Sequence, residues 1–212
     1  MAGTLLKHSS AAMLSVLVAI LIAFIFAGCQ TRSEPPSHRY GIPASPDEYA
    51  DQFKDALEDY KKFETIDAAA EYAGYTFRYP GSAAAGRIFG VFVYPRSKTI
   101  IVLFEDYPPR GMYLSIRQLA RKPDYKARVE RTVEEIKQGK ALVFSPPELV
   151  NVAGREGEGE EPFMQGPERT FPVAGHVMWW HNGVEYTLFG KADGKTPSTT
   201  LDELIAIASS CY

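Results

Sequence analysis

Cysteine is almost absent from this chain: two residues in 212, Cys29 and Cys211. Two thiols cannot build the disulfide framework that staples small secreted domains. Histidine is scarce, with four residues. The patterns Gly-x-Ser-x-Gly, His-Glu-x-x-His and Cys-x-x-Cys do not occur, so nucleophilic and zinc chemistry lack a local signature. A basic stripe is missing too. Lys and Arg number 23 against 26 Asp and Glu, for a net charge of −3. Residues 1–28 hold one base, Lys7, and no acid, so the remainder is more acidic still. Neutralising nucleic-acid phosphates needs clustered Lys and Arg, and that class of partner is set aside. There is no internal repeat.

What is present begins with a long apolar run. Ala11 to Ala27 carries no charge, and Lys7 alone precedes it. At about 1.5 Å per residue it reaches roughly 25 Å, slightly short of a hydrocarbon core. Length therefore does not separate a signal peptide from an uncleaved span. The end of the run does so better. Phe26-Ala27-Gly28-Cys29 resembles the lipobox of bacterial lipoproteins, with small residues at the two positions before an obligatory cysteine; Phe26 stands where Leu is commoner. The resemblance implies cleavage before Cys29 and lipid on its thiol. An uncleaved span with an incidental cysteine is the alternative. Each buried methylene contributes about 0.8 kcal/mol, so two or three acyl chains would hold the protein to the membrane lastingly. Gln30 to Ala44, with Pro35-Pro36 and Gly41, reads as a tether. The expected organisation is a signal peptide over 1–28, a tether over 29–44 and one globular domain over 45–212. The 45% hydrophobic content is ample for one packed core.

Within that domain Ser45-Pro46-Asp47-Glu48 predicts a helix start, with Ser45 as N-cap, Pro46 in the first position and Glu48 completing a capping box. Tyr49, Phe53, Leu57 and Tyr60 then make one apolar stripe. A second helix is predicted from Ile66 to Ala73, capped by Thr65 and stopped by Gly74. Tyr75–Tyr79, Ile88–Tyr94, Thr99–Phe104 and Met112–Ile116 read as strands, the middle two joined in a hairpin. Pro123 opens an amphipathic helix through Tyr125, Val129, Val133 and Ile136 that ends at Gly139. Pro146 to Pro172 reads as irregular, with one short strand at Leu149–Val152. Two strands return around Asn182-Gly183, a type I′ hairpin signal. Thr200 to Glu203 forms a second capping box before a helix through Ala208. The pattern is α+β: a mostly antiparallel sheet flanked by helices.

Two blocks carry a family resemblance. Ala69-Ala70-Glu71-Tyr72-Ala73-Gly74-Tyr75-Thr76-Phe77-Arg78-Tyr79-Pro80, and Trp180-His181-Asn182-Gly183-Val184-Glu185-Tyr186-Thr187-Leu188 with the helix from Leu201 to Ser209, resemble the opening and the end of the bacterial module called domain of unknown function 4367. The blocks cover about a third of the mature chain, and the stretch from Tyr107 to Pro172 matches nothing in that module. The resemblance implies a membrane-tethered extracytoplasmic protein and supplies no catalytic residues.

Candidate sites are few. Gly190-Lys191-Ala192-Asp193-Gly194-Lys195-Thr196 has one residue too few between its glycines for a phosphate-binding loop and reads as solvated. His176 and His181 are an odd number apart, which in a strand puts them on opposite faces, so they predict no shared metal. Glu156, Glu158, Glu160 and Glu161 read as a flexible acidic surface loop rather than a calcium site. No cofactor and no metal are expected. Cys211, if lipid occupies Cys29, reads as an inert residue on the exposed end of the last helix or as a thiol free to pair between molecules.

On the final hairpin, Val177, Trp179, Val184, Tyr186 and Leu188 should be core. His176, Met178, Trp180, Glu185, Thr187 and Phe189 share the other, mixed face. Trp180 is the candidate ligand-binding residue there, against the plainer reading that it packs under a neighbouring element. The expectation is a lipid-anchored protein on the extracytoplasmic face of the cell membrane, a non-catalytic binding or sensing module with a protein or peptide partner. An envelope scaffold or assembly factor, or an enzyme whose residues assemble from distant segments, are the alternatives.

Overall fold

A computed structural model describes residues 45–140, 145–165, 171–192 and 199–212. The apolar run, Cys29 and the tether lie outside the described residues, as does 193–198, the second half of the glycine-lysine loop. The described residues from Ser45 onward belong to a single compact unit.

Capping chemistry places the helices. Ser45 Oγ accepts from the Glu48 amide at 3.2 Å and starts α1, Pro46–Ala56. Thr65 Oγ1 accepts from the Ala68 amide at 3.2 Å and starts α2, Ile66–Ala73, which ends on Gly74 in the left-handed region. One short helix, α3 (Ser82–Ala85), has no counterpart in the sequence reading. Asp124, one residue after Pro123, caps α4 (Tyr125–Lys137). Thr200 and Glu203 close a reciprocal capping box at the start of α5 (Leu201–Ser209).

The strands are β1 (Lys61–Phe63), β2 (Ile88–Val93), β3 (Ile100–Phe104), β4 (Met112–Gln118), β5 (Glu148–Val152), β6 (Arg155–Glu160), β7 (Phe163–Gln165), β8 (Phe171–Val173), β9 (His176–His181) and β10 (Val184–Phe189). Eight form one antiparallel sheet in the order β1-β2-β3-β4-β10-β9-β6-β5, and β7 pairs with β8 separately. The α+β class therefore holds. Asn182 and Gly183 both have positive φ, as a type I′ turn requires, and set His181 opposite Val184 and Trp180 opposite Glu185.

Two strand assignments are corrected. Tyr75–Tyr79 joins no ladder. Its polar groups bond elsewhere: Tyr75 OH donates to the Lys98 and Ile116 carbonyls at 2.8 and 3.0 Å, and the Arg78 amide donates to Tyr186 OH at 3.2 Å. The acidic stretch Glu156–Glu160 is not a loop; it is most of β6, in the sheet interior between β9 and β5. Its glycines alternate onto the packed side. A Cβ on Gly157 would lie 2.3 Å from the Met178 carbonyl oxygen, and one on Gly159 would lie 2.6 Å from a Leu201 methyl. The glutamates take the other side. Glycine here fills the role that apolar residues fill in neighbouring strands, so the alternation is invisible to a hydrophobicity count.

The sheet has two unlike faces. Val91, Val93, Ile100, Val102, Met112, Leu114, Ile116, Val177, Trp179, Tyr186 and Leu188 form the core face with α2 and α5. Every residue that the hairpin pattern assigned to this core is buried. On the opposite, polar face, α1 seats Phe53 and Leu57 on Phe92, Ile101 and Leu103. At the other end of that face α4 packs on β5 and β6.

Candidate functional site

Between α1 and α4 the middle strands are less well covered. On the core face, β4, β10 and β9 bury Met112, Leu114, Ile116, Val184, Tyr186, Leu188, Val177 and Trp179. On the polar face the same strands present Tyr113, Ser115, Arg117, Thr187, Phe189, His176, Met178 and Trp180, all half-buried. The result is a trough with a mixed floor. At one end Tyr113 and Phe189 stack with centroids 4.3 Å apart, and the His176 ring lies 5.5 Å from Phe189. In the centre are the hydroxyls of Ser115 and Thr187, opposite one another in the ladder.

The wall toward α4 is ionic. Glu185 is 1% exposed and accepts from the Arg117 guanidinium. Arg128 Nη1 is 3.8 Å from the other Glu185 oxygen, and Tyr125 OH reaches that oxygen at 3.5 Å. Arg128 also donates to Glu158 at 2.7 Å and to the Met178 sulfur at 3.1 Å. An unpaired carboxylate at this depth would cost several kcal/mol. Two arginines and two glutamates remove that penalty and tie α4 to the sheet. Burial, then the Glu185 charge, raises the Tyr125 phenol well above its ordinary value.

Beside this network Glu160 Oε2 stands 3.7 Å from His176 Nδ1. Burial, with Glu158 adding to it, pushes the Glu160 carboxyl up to about 7. Burial, with Arg128 adding to it, pulls the His176 imidazole down to about 4. At neutral pH the pair is therefore a neutral imidazole beside a carboxyl that is partly protonated.

Trp180 lies in the trough wall across from Glu185. Its Nε1 is buried and has no acceptor among the described residues. His181 faces the core side, against Tyr212, so the two histidines do point oppositely. No group of three or more metal-binding side chains occurs among the described residues. Cys211 is buried rather than exposed, and burial pushes its thiol up to about 12. That corrects the expected exposed position of Cys211.

A separate open cavity of about 310 Å³ lies beside the start of α2, floored by Ile66 and Val91 and rimmed by Glu64 and Asp67. Those carboxylates sit at a helix N-terminus, where they offset the helix dipole. Their placement has a structural reason.

Trp180, His176, Met178, Glu185, Thr187 and Phe189 share one face, as the hairpin alternation predicts. Arg117, Tyr125 and Arg128 are not among the residues the sequence points to for this site, and Glu158 and Glu160 lie in a strand instead of the expected loop. The alternation of Glu with Gly in Arg155–Glu160 was the available signal. Comparison with protein-family models, curated proteins and solved structures finds no match to this chain.

Proposed function

We propose that this chain is an exported lipoprotein, cut before Cys29 and held by lipid at the extracytoplasmic face of the cell membrane. Its globular unit is a non-catalytic binding or sensing module that works through the trough between α1 and α4. The observation that carries the binding role is the contrast within β4, β9 and β10. Their core-face side chains are buried, while the polar-face residues other than Glu185 stay half-buried, with aromatic, hydroxyl and ionic groups side by side. Sites of this kind pair apolar area with a few placed polar groups. The anchoring role rests on Phe26-Ala27-Gly28-Cys29.

Two experiments test the two halves. Replacing Cys29→Ala abolishes lipid labelling and leaves an uncleaved precursor; lipid-labelled protein of mature size would overturn the anchor. Thr187→Trp fills the trough floor. It should abolish capture of any component the wild-type protein retains from envelope extract, at an unchanged melting temperature. Equal capture by both proteins sinks the trough as the binding surface.

A second reading, an enzyme, is favoured by one observation: a largely buried carboxyl and imidazole, 3.7 Å apart, with oppositely displaced pKa values. Chemical turnover of the captured component by wild type, abolished in Glu160→Gln, would establish it. Unaltered recovery of that component excludes it.

A further inference from the structure

Three described arginines are half-buried: Arg117, Arg128 and Arg155. The first two reach carboxylates on the polar face. Arg155, on the core-face side, reaches none among the described residues, and neither does its neighbour Arg78. Both gather at Tyr212. The Arg155 guanidinium lies 3.6 Å from the Tyr212 ring centroid and that of Arg78 lies 5.1 Å from it, so the two are within about 9 Å of each other. The ring is held in place because its hydroxyl accepts from Trp179 Nε1 at 3.0 Å. His181 meets the same ring edge-on at 4.9 Å.

The partners that Arg155 does have are neutral. Its Nε donates to His181 Nδ1 at 3.0 Å and its Nη1 to the Ala153 carbonyl at 2.7 Å. Arg78 Nη1 reaches the Cys211 carbonyl at 3.5 Å. Because Nδ1 of His181 accepts, the ring proton is on Nε2. Arg78 is exposed and Arg155 half-buried; the two like charges repel, no carboxylate among the described residues pairs with either, and stacking on one tyrosine offsets only part of that cost. The unused donors are the remaining guanidinium nitrogens and the His181 Nε2–H. Guanidinium forks match phosphate oxygens in geometry.

We propose that Arg78, Arg155 and His181 form a second binding site, on the opposite side of the sheet from the trough, that takes a phosphate group. The group is either a free phosphate or the headgroup of a phospholipid. The titratable and charged groups facing His181 are Arg155 from β6, Arg78 from the segment after α2, and Tyr212 beyond α5. Burial, then Arg155 and Arg78, lowers the His181 imidazole from its ordinary value. A bound phosphate screens both arginines, so occupancy raises the His181 pKa.

The test uses the full chain in a maltoside detergent, which carries no phosphate, with the His181 ring resonance followed by NMR against pH. Added inorganic phosphate is expected to raise the His181 pKa, while chloride at matched ionic strength does not. Arg78→Gln and Arg155→Gln are each expected to weaken binding by about tenfold, the loss of one charge-assisted hydrogen bond. Arg155→Lys, which keeps the charge, guards against a folding defect in the glutamine variant. A second titration uses short-chain phosphatidylglycerol dispersed in the same detergent. A shift with inorganic phosphate identifies the free anion as sufficient, and a shift with the lipid alone identifies the headgroup. No shift with either probe, an equal shift with chloride, or a shift that survives Arg78→Gln undiminished overturns the site.

Discussion

The two faces of the central sheet are built on different physics. The core face closes by apolar burial: Val102, Leu114, Ile116, Val177, Trp179 and Leu188 are all fully buried, and burial of that kind is non-directional. The polar face closes by α1 on an apolar patch at one end and by α4 on an ionic network at the other. Its order depends on particular donors meeting particular acceptors. One face tolerates a change of shape better than a change of polarity. The other is sensitive to charge balance, and it leaves a half-open strip between its two covers.

The largest expected difference is in truncation. Trp179→Ala removes a stacked, fully buried indole from the core face and should cost roughly 3–5 kcal/mol. Met178→Ala, the adjacent residue on the trough side, should cost well under half of that. Equilibrium denaturation checks both, and equal losses would erase the distinction between the faces.

Next is the ionic network. Arg128→Met leaves Glu158 and the inner edge of Glu185 without that cation and should cost about 2–3 kcal/mol. Replacing both partners, Arg128→Met with Glu158→Leu, should recover about 1 kcal/mol or more, since no charge is then stranded. A double variant no better than the single one means that the pair is not coupled.

The Glu160–His176 pair makes a sharper test through pH. Glu160 has a folded pKa raised from 4.5 to about 7, so its contribution is present below 4.5 and is lost as pH rises to 7. His176 has a folded pKa lowered from 6.5 to about 4, so its contribution is present above 6.5 and is lost as pH falls to 4. Between those limits the two slopes oppose each other, and the wild-type stability should be nearly flat from this pair. Glu160→Gln exposes the histidine slope, with stability rising with pH by on the order of 1 kcal/mol per unit. His176→Gln exposes the opposite slope. Parallel curves for wild type and both variants would show that neither group is displaced.

The smallest effect belongs to Trp180. A buried indole N–H, here without an acceptor among the described residues, costs about 1–3 kcal/mol when unsatisfied. Trp180→Phe removes that penalty together with some packing, so its net change should stay within about 1 kcal/mol. A loss above about 2 kcal/mol by thermal melting would mean that the N–H is satisfied in solution.

Much of the architecture was legible because its causes are local. Caps at Ser45, Thr65 and Thr200 and the turn at Asn182-Gly183 each lie within a few residues of what they organise. The period-2 apolar pattern of the last hairpin placed its core residues on the right face. β1 escaped notice because three residues, two of them lysine, carry no pattern. β6 was misread because glycine replaced the apolar half of the alternation, its reason being a Met178 carbonyl and a Leu201 side chain from distant segments.

The sequence by itself determined the candidate lipid-attachment cysteine, the α+β class, the ends of the principal helices and the inner face of the last hairpin. Short-range sterics, capping hydrogen bonds and periodicity are all written within a few residues. Only the tertiary structure decided that Glu185 meets Arg117 and Arg128, that Glu160 stands by His176, and that Arg155 and Arg78 gather at Tyr212. A charge carries no periodicity that names its partner. Which of many acids meets which base is settled when the strands find their order in the sheet.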